Sequence, residues 1–585
     1  MEFVSATVNG EARRMRSAFS FSSVRIVVAT LGLGLNSAQA QAPTQQWDAF
    51  VASFLDRHFA FHPDEGVAAG RHEFDGQLSD FSDAGMQREI DWLQAERTAA
   101  EAYPASALTK AQSFEREYLV MEVRKQLFWL KTADQAHTNP YAYADAIDPD
   151  TYVSRPYAPL PVRLRAYLKY ARAIPAAIEQ IKHNLDHPIA QSLLEIGHTS
   201  IGGIADFYAT DIVEIFAPVK DAQLQAEFKV ANAAAIKAVQ GIDAWLVAKE
   251  KTAQDNFALG PVMFQAMVRE TEGVDLPLEQ LSAIAQKDLE RNYAAMVAAC
   301  AQYAPGKTPH EAAAIAFSHK PTGSTVAYAT QQLIDLRKFI LAHQLVSIPG
   351  TETAQVAEAP AYRRWNFAYI NIPGPYEKAL PSTYYVSPPD PTWPQEKQDA
   401  YVPGVGPLLF TSAHEVYPGH FVQFLHANRS KSKFGRVFVG YAFAEGWAHY
   451  CEEMMYDAGL GDHTPEMHIG QLEEALLRNV RFVSAIGLHT RGMTVAQSKQ
   501  LFLDKGFQDE ADAEQQAARG AFDPAYLNYT LGKLMIRKLR EDWTATHGGR
   551  KAWKEFHDQF LQYGGPPIPL VRKAMMGSAE PGSLF

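Results

Sequence analysis

The strongest constraint on the fold is periodicity. From Trp47 to about Leu345, and again from Leu408 to about Gln562, apolar residues recur mostly at spacings of three and four. That is the repeat of a helix with one buried face. Residues 163–185, 228–247 and 278–303 carry it most clearly, and Pro175 predicts a kink or break in the first. Between the two helical stretches the composition changes. Residues 373–407 hold nine prolines, which excludes regular helix there and is long for a plain connection. Residues 363–372 and 382–387 alternate polar with aromatic or aliphatic side chains and predict short strands. No internal repeat and no low-complexity tract interrupts the pattern. The expectation is a mainly α chain with a small β-sheet. It forms one large helical domain over residues 41–585, with an N-terminal half 41–356 and a catalytic half 357–585.

A net charge of −12 excludes nucleic acid as the main partner, because phosphate binding rests on a basic surface. The two cysteines, Cys300 and Cys451, exclude a disulfide framework and a thiolate zinc site. No phosphate-binding loop and no dinucleotide fingerprint is present. The first forty residues differ from the rest. Arg13, Arg14, Arg16 and Arg25 precede an apolar run, residues 26–35, that ends before Ala38-Gln39-Ala40. This pattern predicts a secretory signal peptide cleaved after Ala40, hence a secreted or periplasmic protein. The run is too short to span a bilayer, which needs about 20 apolar residues, and no later stretch is long enough. Nothing in the sequence sets an oligomeric state.

The chemistry is concentrated in residues 411–453. His414-Glu415-Val416-Tyr417-Pro418-Gly419-His420 is followed by Glu445-Gly446-Trp447-Ala448-His449-Tyr450. A catalytic zinc takes three protein ligands, often two His and one Glu, and leaves a position open. In the usual H-E-x-x-H helix the two His lie four apart on one face. Here they lie six apart, which on a regular helix leaves the second about 120° from the first. Pro418 cannot continue a helix, and Gly419 accepts backbone angles that other residues avoid. A bulged or broken turn returning His420 toward His414 is therefore expected. Glu445, 25 residues beyond His420, is the better third ligand. His449 is then a supporting group or a transition-state donor, and Glu415 is the general base beside the water. The expected cofactor is one zinc ion per chain, although cobalt and manganese suit similar ligands. One rival motif, His198-Thr199-Ser200-Ile201-Gly202, is a residue short of a nucleophile elbow and lacks a preceding strand.

At these residues the sequence resembles the bacterial domain of unknown function 885 family, whose hallmarks are H-E-x-x-P-G-H and E-G-W-A segments. The likeness extends along the chain, through His62-Pro63, Gly70-Arg71-His72, residues 174–185 and Tyr384-Tyr385-Val386. It continues through Arg478, Arg481, Gly487-Leu488-His489, Tyr529, Gly532, Ile536 and Leu539-Arg540. Two positions depart from the pattern: Ala485 stands where relatives carry Asp, and Ser387 where they carry Asn. The resemblance implies a helical metallopeptidase with a central cleft, similar in plan to the angiotensin-converting-enzyme and carboxypeptidase Taq group.

Tyr529, which matches the family's terminal helix, is the first choice for the donor to the oxyanion, with Tyr526, His449 and His489 in reserve. The strand carrying Tyr384 and Tyr385 is expected to align an extended peptide substrate. Arg478, Arg481, Arg537 and Arg540 are the candidates to read a terminal carboxylate, which would make the enzyme a carboxypeptidase. Two other functions fit the same residues. One is a zinc amidase or esterase acting on a non-peptide substrate. The other is a non-catalytic exported binding protein, which would have no use for Glu415.

Overall fold

The periodic stretches fold as helices whose apolar stripes face one another. The computed structural model describes residues 43–360, 364, 367–389, 391–578, 580 and 583–585; the expected signal peptide and cleavage site lie outside them. Leu160–Asn184 is one helix that runs through Pro175 without ending. Its stripe is buried on both sides of the proline, at Leu164, Leu168 and Ile174 and again at Ile178 and Ile181. Packing of that stripe outweighs the proline's cost of about 3 kcal/mol. The elbow-like Ser200 sits mid-helix in Gln191–Ala209, where no strand-to-helix turn exists, and the rival motif lapses.

The proline-rich segment carries the sheet. Its strands are β1 (Ala354–Glu358), β2 (Ala368–Asn371) and β3 (Ser382–Val386), in the order β1-β3-β2. β1 runs parallel to β3 and β2 antiparallel. β1 escaped the sequence reading, and so did a short helix at Gln395–Tyr401. That helix fits because Pro394 only caps it and Pro403 lies beyond its end.

Seven further helices build the region around the site. They are α1 (Leu278–Tyr303), α2 (Val405–Glu415), α3 (His420–Ala427), α4 (Tyr441–Asp457), α5 (Pro465–Thr490), α6 (Glu510–Phe522) and α7 (Asn528–Ala545). α5 starts where Thr464 accepts a hydrogen bond from Met467 N–H and Pro465 takes the first helical position. It packs between α1 and α2, while α4 lies along α7. α4 and α7 meet at two glycines. A Cβ on Gly532 would stand 2.0 Å from Ala442 O, and one on Gly446 would stand 2.5 Å from Gly532 Cα. Only hydrogen at both positions lets the backbones come this close.

A single apolar core joins Phe264, Leu289 and Leu336 to Trp447, Leu476 and Ile536. While a second cluster, including Leu164, Ile201 and Leu246, lies wholly before the division at 356/357, this one crosses it, so helices from before the division complete the packing behind the site. Ala485, at the position where Asp is usual, belongs to this same core. Cys300 and Cys451 are buried and unbridged. Among the described residues no helix is long and apolar enough to cross a membrane.

Candidate metal centre

α2 ends at Glu415 and α3 begins at His420, so the helix is broken rather than bulged. Gly419 N–H donates back to Ala413 O at 2.9 Å, folding the connection onto the end of α2. A Cβ at Gly419 would lie 1.7 Å from His414 O, and this approach demands glycine. Trp447 holds the break from the other side, its indole N–H donating to Pro418 O at 2.9 Å. The Glu-Gly-Trp run thus has three tasks in three residues: a carboxylate toward the histidines, close approach to α7, and a clamp on the turn.

The break brings His414 Nε2 to 3.4 Å and His420 Nε2 to 3.3 Å from Glu445 Oε2. The three ligand atoms lie within 4.8 Å of one another. Donors about 2.0–2.2 Å from a tetrahedral ion stand about 3.3–3.5 Å apart, so two edges of the triangle already have that length. His420 Nδ1 and Glu445 Oε2 are buried without a hydrogen-bond partner. The donor set and its spacing fit a zinc ion. Burial opposes a charge on His414, but the neighbouring Glu445 and Glu452 carboxylates carry its pKa up to about 9.

Glu452 is the residue the sequence reading missed. It is fully buried, with Oε1 accepting from His414 Nδ1–H at 2.7 Å and Oε2 accepting from His449 Nδ1–H at 3.0 Å. A carboxylate behind a ligating imidazole fixes its tautomer and orientation. Against the cost of burial, Arg478 and the two imidazoles hold Glu452 far below the ordinary carboxylate range. A signal for it existed: seven residues on from Glu445 is two turns, on the same helix face.

The ligands and Glu415 open onto a cavity of about 1570 Å³, whose wall also includes Tyr529, Arg478, Arg481 and all four residues of β2. The Glu415 carboxyl is pushed upward, by burial first and then by Glu445, with His420 and His414 opposing. Burial and Glu445 also raise the Tyr529 phenol, so it remains a protonated donor at neutral pH. Its ring stacks 6.3 Å from that of His414.

Other sequence candidates stand elsewhere. His449 is wholly buried behind the ligands and does not line the cavity; burial, with Lys533 adding, lowers its pKa to about 4. His489 is also off the cavity wall. Its Nδ1 accepts from Leu259 N–H and its Nε2–H donates to Gly520 O, so it braces two backbones and has no proton to offer an oxyanion. Tyr526 is buried against Gly520 and off the wall. Tyr384 and Tyr385 belong to β3, the central strand, with both edges already paired. β3 cannot take a peptide. The edge strands are β1 and β2, and β2 lines the cavity. Arg537 pairs with Glu453, while Arg540 donates to Tyr450 and stacks over Trp553; neither lines the cavity.

The bacterial family described as protein of unknown function (DUF885) matches residues 63–575. The chain belongs to that family. No functionally curated protein matches. Two solved structures share the fold. One is a candidate lipoprotein of unknown function from Shewanella oneidensis, with TM-score 0.76 and 24% identity, covering 91% of this chain and 99% of that one. The other, from Colwellia psychrerythraea, is also described as a candidate lipoprotein, with TM-score 0.78, 17% identity and coverage of 92% and 99%. At such identities the likeness speaks for the fold alone. Over about nine-tenths of its length this DUF885 chain thus shares its fold with two candidate lipoproteins.

Proposed function

We propose that this protein is an exported zinc-dependent peptidase acting on oligopeptides. The observation that carries the reading is the convergence of His414, His420 and Glu445 at tetrahedral spacing, with Glu415 on the same cavity wall. A zinc ion held by those three would supply Lewis-acid polarisation of a carbonyl and make a water more acidic, toward a pKa of about 7. Glu415 takes the proton of the attacking water and returns it to the leaving amine. Its upward-shifted carboxyl suits both halves of that exchange. Tyr529 donates to the developing oxyanion, and Glu452 keeps His414 in the tautomer that leaves Nε2 free. The open edge of β2 offers backbone groups to an extended peptide.

Cavity size favours a peptide over a small amide or ester. Pockets for small ligands measure about 300–1,000 Å³, and this one is larger. Export is supported by the amino-terminal targeting pattern and by the description of both fold relatives as candidate lipoproteins. The test has two parts. Metal analysis of the purified protein is expected to find about one zinc per chain, lost in His420→Ala. Mass-spectrometric readout of a peptide library is then expected to show cleavage that Glu415→Gln abolishes while zinc stays bound. A wild type that binds no zinc after exposure to it refutes the proposal.

A further inference from the structure

The cavity wall beside the candidate metal ligands carries a cluster of arginines, and among the described residues one of them lacks a carboxylate partner. Three guanidiniums surround the Tyr529 ring, with carbons 5.8 Å (Arg478), 4.7 Å (Arg481) and 5.7 Å (Arg519) from its centre. Two of them have anionic partners. Arg478 pairs with Glu474 and stands 3.8 Å from Glu452 Oε1. Arg519 pairs with Asp523 at 3.0 Å and donates to Tyr441. Arg481 is different. It is 6% exposed, and its Nε–H donates to the neutral amide oxygen of Gln516 at 2.9 Å. Among the described residues it makes no ion pair with a carboxylate.

A buried guanidinium is stable only with a hydrogen-bonded counter-charge, and a carboxylate matches its fork in two parallel bonds. Burial, with Arg519 adding, lowers the Arg481 pKa only to about 10, so it is a cation at neutral pH. Glu474 is committed to Arg478, and Glu473, whose carboxyl burial raises to about 7, accepts a hydrogen bond from Gln508.

Granting the peptidase reading above, we infer that Arg481 receives the terminal carboxylate of the substrate, so that the cavity selects peptides with a free C-terminus. Distance sets how much chain can lie between that carboxylate and the reacting carbonyl. Arg481 is 4.7 Å from the Tyr529 ring centre, itself 6.3 Å from that of His414, which places the cation no more than about 11 Å from the His414 ring. An extended residue spans about 3.3–3.6 Å. Cleavage therefore releases a C-terminal fragment of about one to three residues. Of the four arginines weighed from sequence, only Arg478 and Arg481 reach the cavity, and Arg478 is already neutralised.

The test compares matched peptides ending in a free acid or an amide, using the zinc-loaded full chain. In Glu415→Gln, which binds without cleaving, calorimetry is expected to show the acid binding roughly 10- to 100-fold more tightly than the amide, the range for one charged hydrogen-bonded contact. Adding Arg481→Ala collapses that ratio toward one, and Arg481→Lys restores part of it. In otherwise wild-type protein, Arg481→Ala raises KM for the acid peptide more than it lowers kcat. Equal binding of acid and amide, or an acid preference that survives Arg481→Ala, overturns the inference. The two proposals fail separately. Acid-selective binding without any cleavage by wild type removes the peptidase reading and leaves Arg481 as a carboxylate site. Cleavage of acid and amide alike does the reverse.

Discussion

Glu452→Gln isolates what lies behind the metal ligands. The substitution keeps the shape and removes one charge and one acceptor. His414 Nδ1 must keep its proton, because Nε2 is the nitrogen left free for the metal. The Gln oxygen therefore accepts from His414, and its NH2 group is left facing His449 Nδ1. His449 relieves that clash only by moving its proton to Nε2, a buried nitrogen with no hydrogen-bond partner. One buried donor without an acceptor costs about 1–3 kcal/mol of stability. The metal site loses something separate, the carboxylate that makes His414 more basic. Removing such a support typically weakens metal binding about 10- to 100-fold, or about 1.4–2.7 kcal/mol. Zinc affinity is measured by competition with a chromophoric chelator, and stability by denaturant unfolding of the metal-free protein. Glu453→Gln is the control. That neighbouring carboxylate pairs with Arg291, Lys533 and Arg537 rather than with either imidazole, so its loss lowers stability and leaves zinc affinity unchanged. A folded Glu452→Gln protein whose zinc Kd stays within about threefold of wild type, below the range above, refutes the reasoning.

Three further outcomes are expected. Gly532→Ala drives a methyl into Ala442 O, one turn before Glu445, and is expected to cost about 1–3 kcal/mol or more and to weaken zinc binding; Gly203→Ala, where a Cβ meets nothing within 4 Å, gains up to about 1 kcal/mol. Arg540→Ala removes the hydrogen bond to Tyr450 and the stack on Trp553, lowering stability by about 1–3 kcal/mol without changing any preference for free-acid peptides. His62 is raised to about 9, burial opposing and Glu65 and Glu89 prevailing. Its contribution is full below the unfolded value near 6.5 and lost as pH rises through about 9, so the wild-type advantage over His62→Gln, at most about 3 kcal/mol, shrinks over that window. An advantage that grows with pH contradicts the assignment.

Local spacing carried most of the fold and the heart of the site. Leu278–Tyr303 could be delimited from its apolar repeat alone, since a helix buries residues three and four apart whatever its neighbours are. The break at Pro418-Gly419 was legible because those two residues restrict or free the backbone by their own covalent structure. His414, Glu415, His420 and Glu445 fall within 32 residues, where chain geometry limits what else they can do.

Everything that depends on distant partners had to wait for the tertiary structure. Tyr384 and Tyr385 had the alternation of a strand, but alternation does not say whether a strand is central or at an edge. That was decided by β1 and β2 closing on either side. Pro175 predicts a kink or a break, and packing on both sides of it kept the helix from ending there. His489 had the chemistry of a donor until Leu259 and Gly520 claimed both nitrogens. The four arginines were equivalent as residues, and their partners made them unlike. Ion pairs and hydrogen bonds such as these join residues tens to hundreds of positions apart. Sequence alone determined which backbone conformations and which chemistry were available; only the folded chain decided which charges were neutralised and which were left facing the cavity.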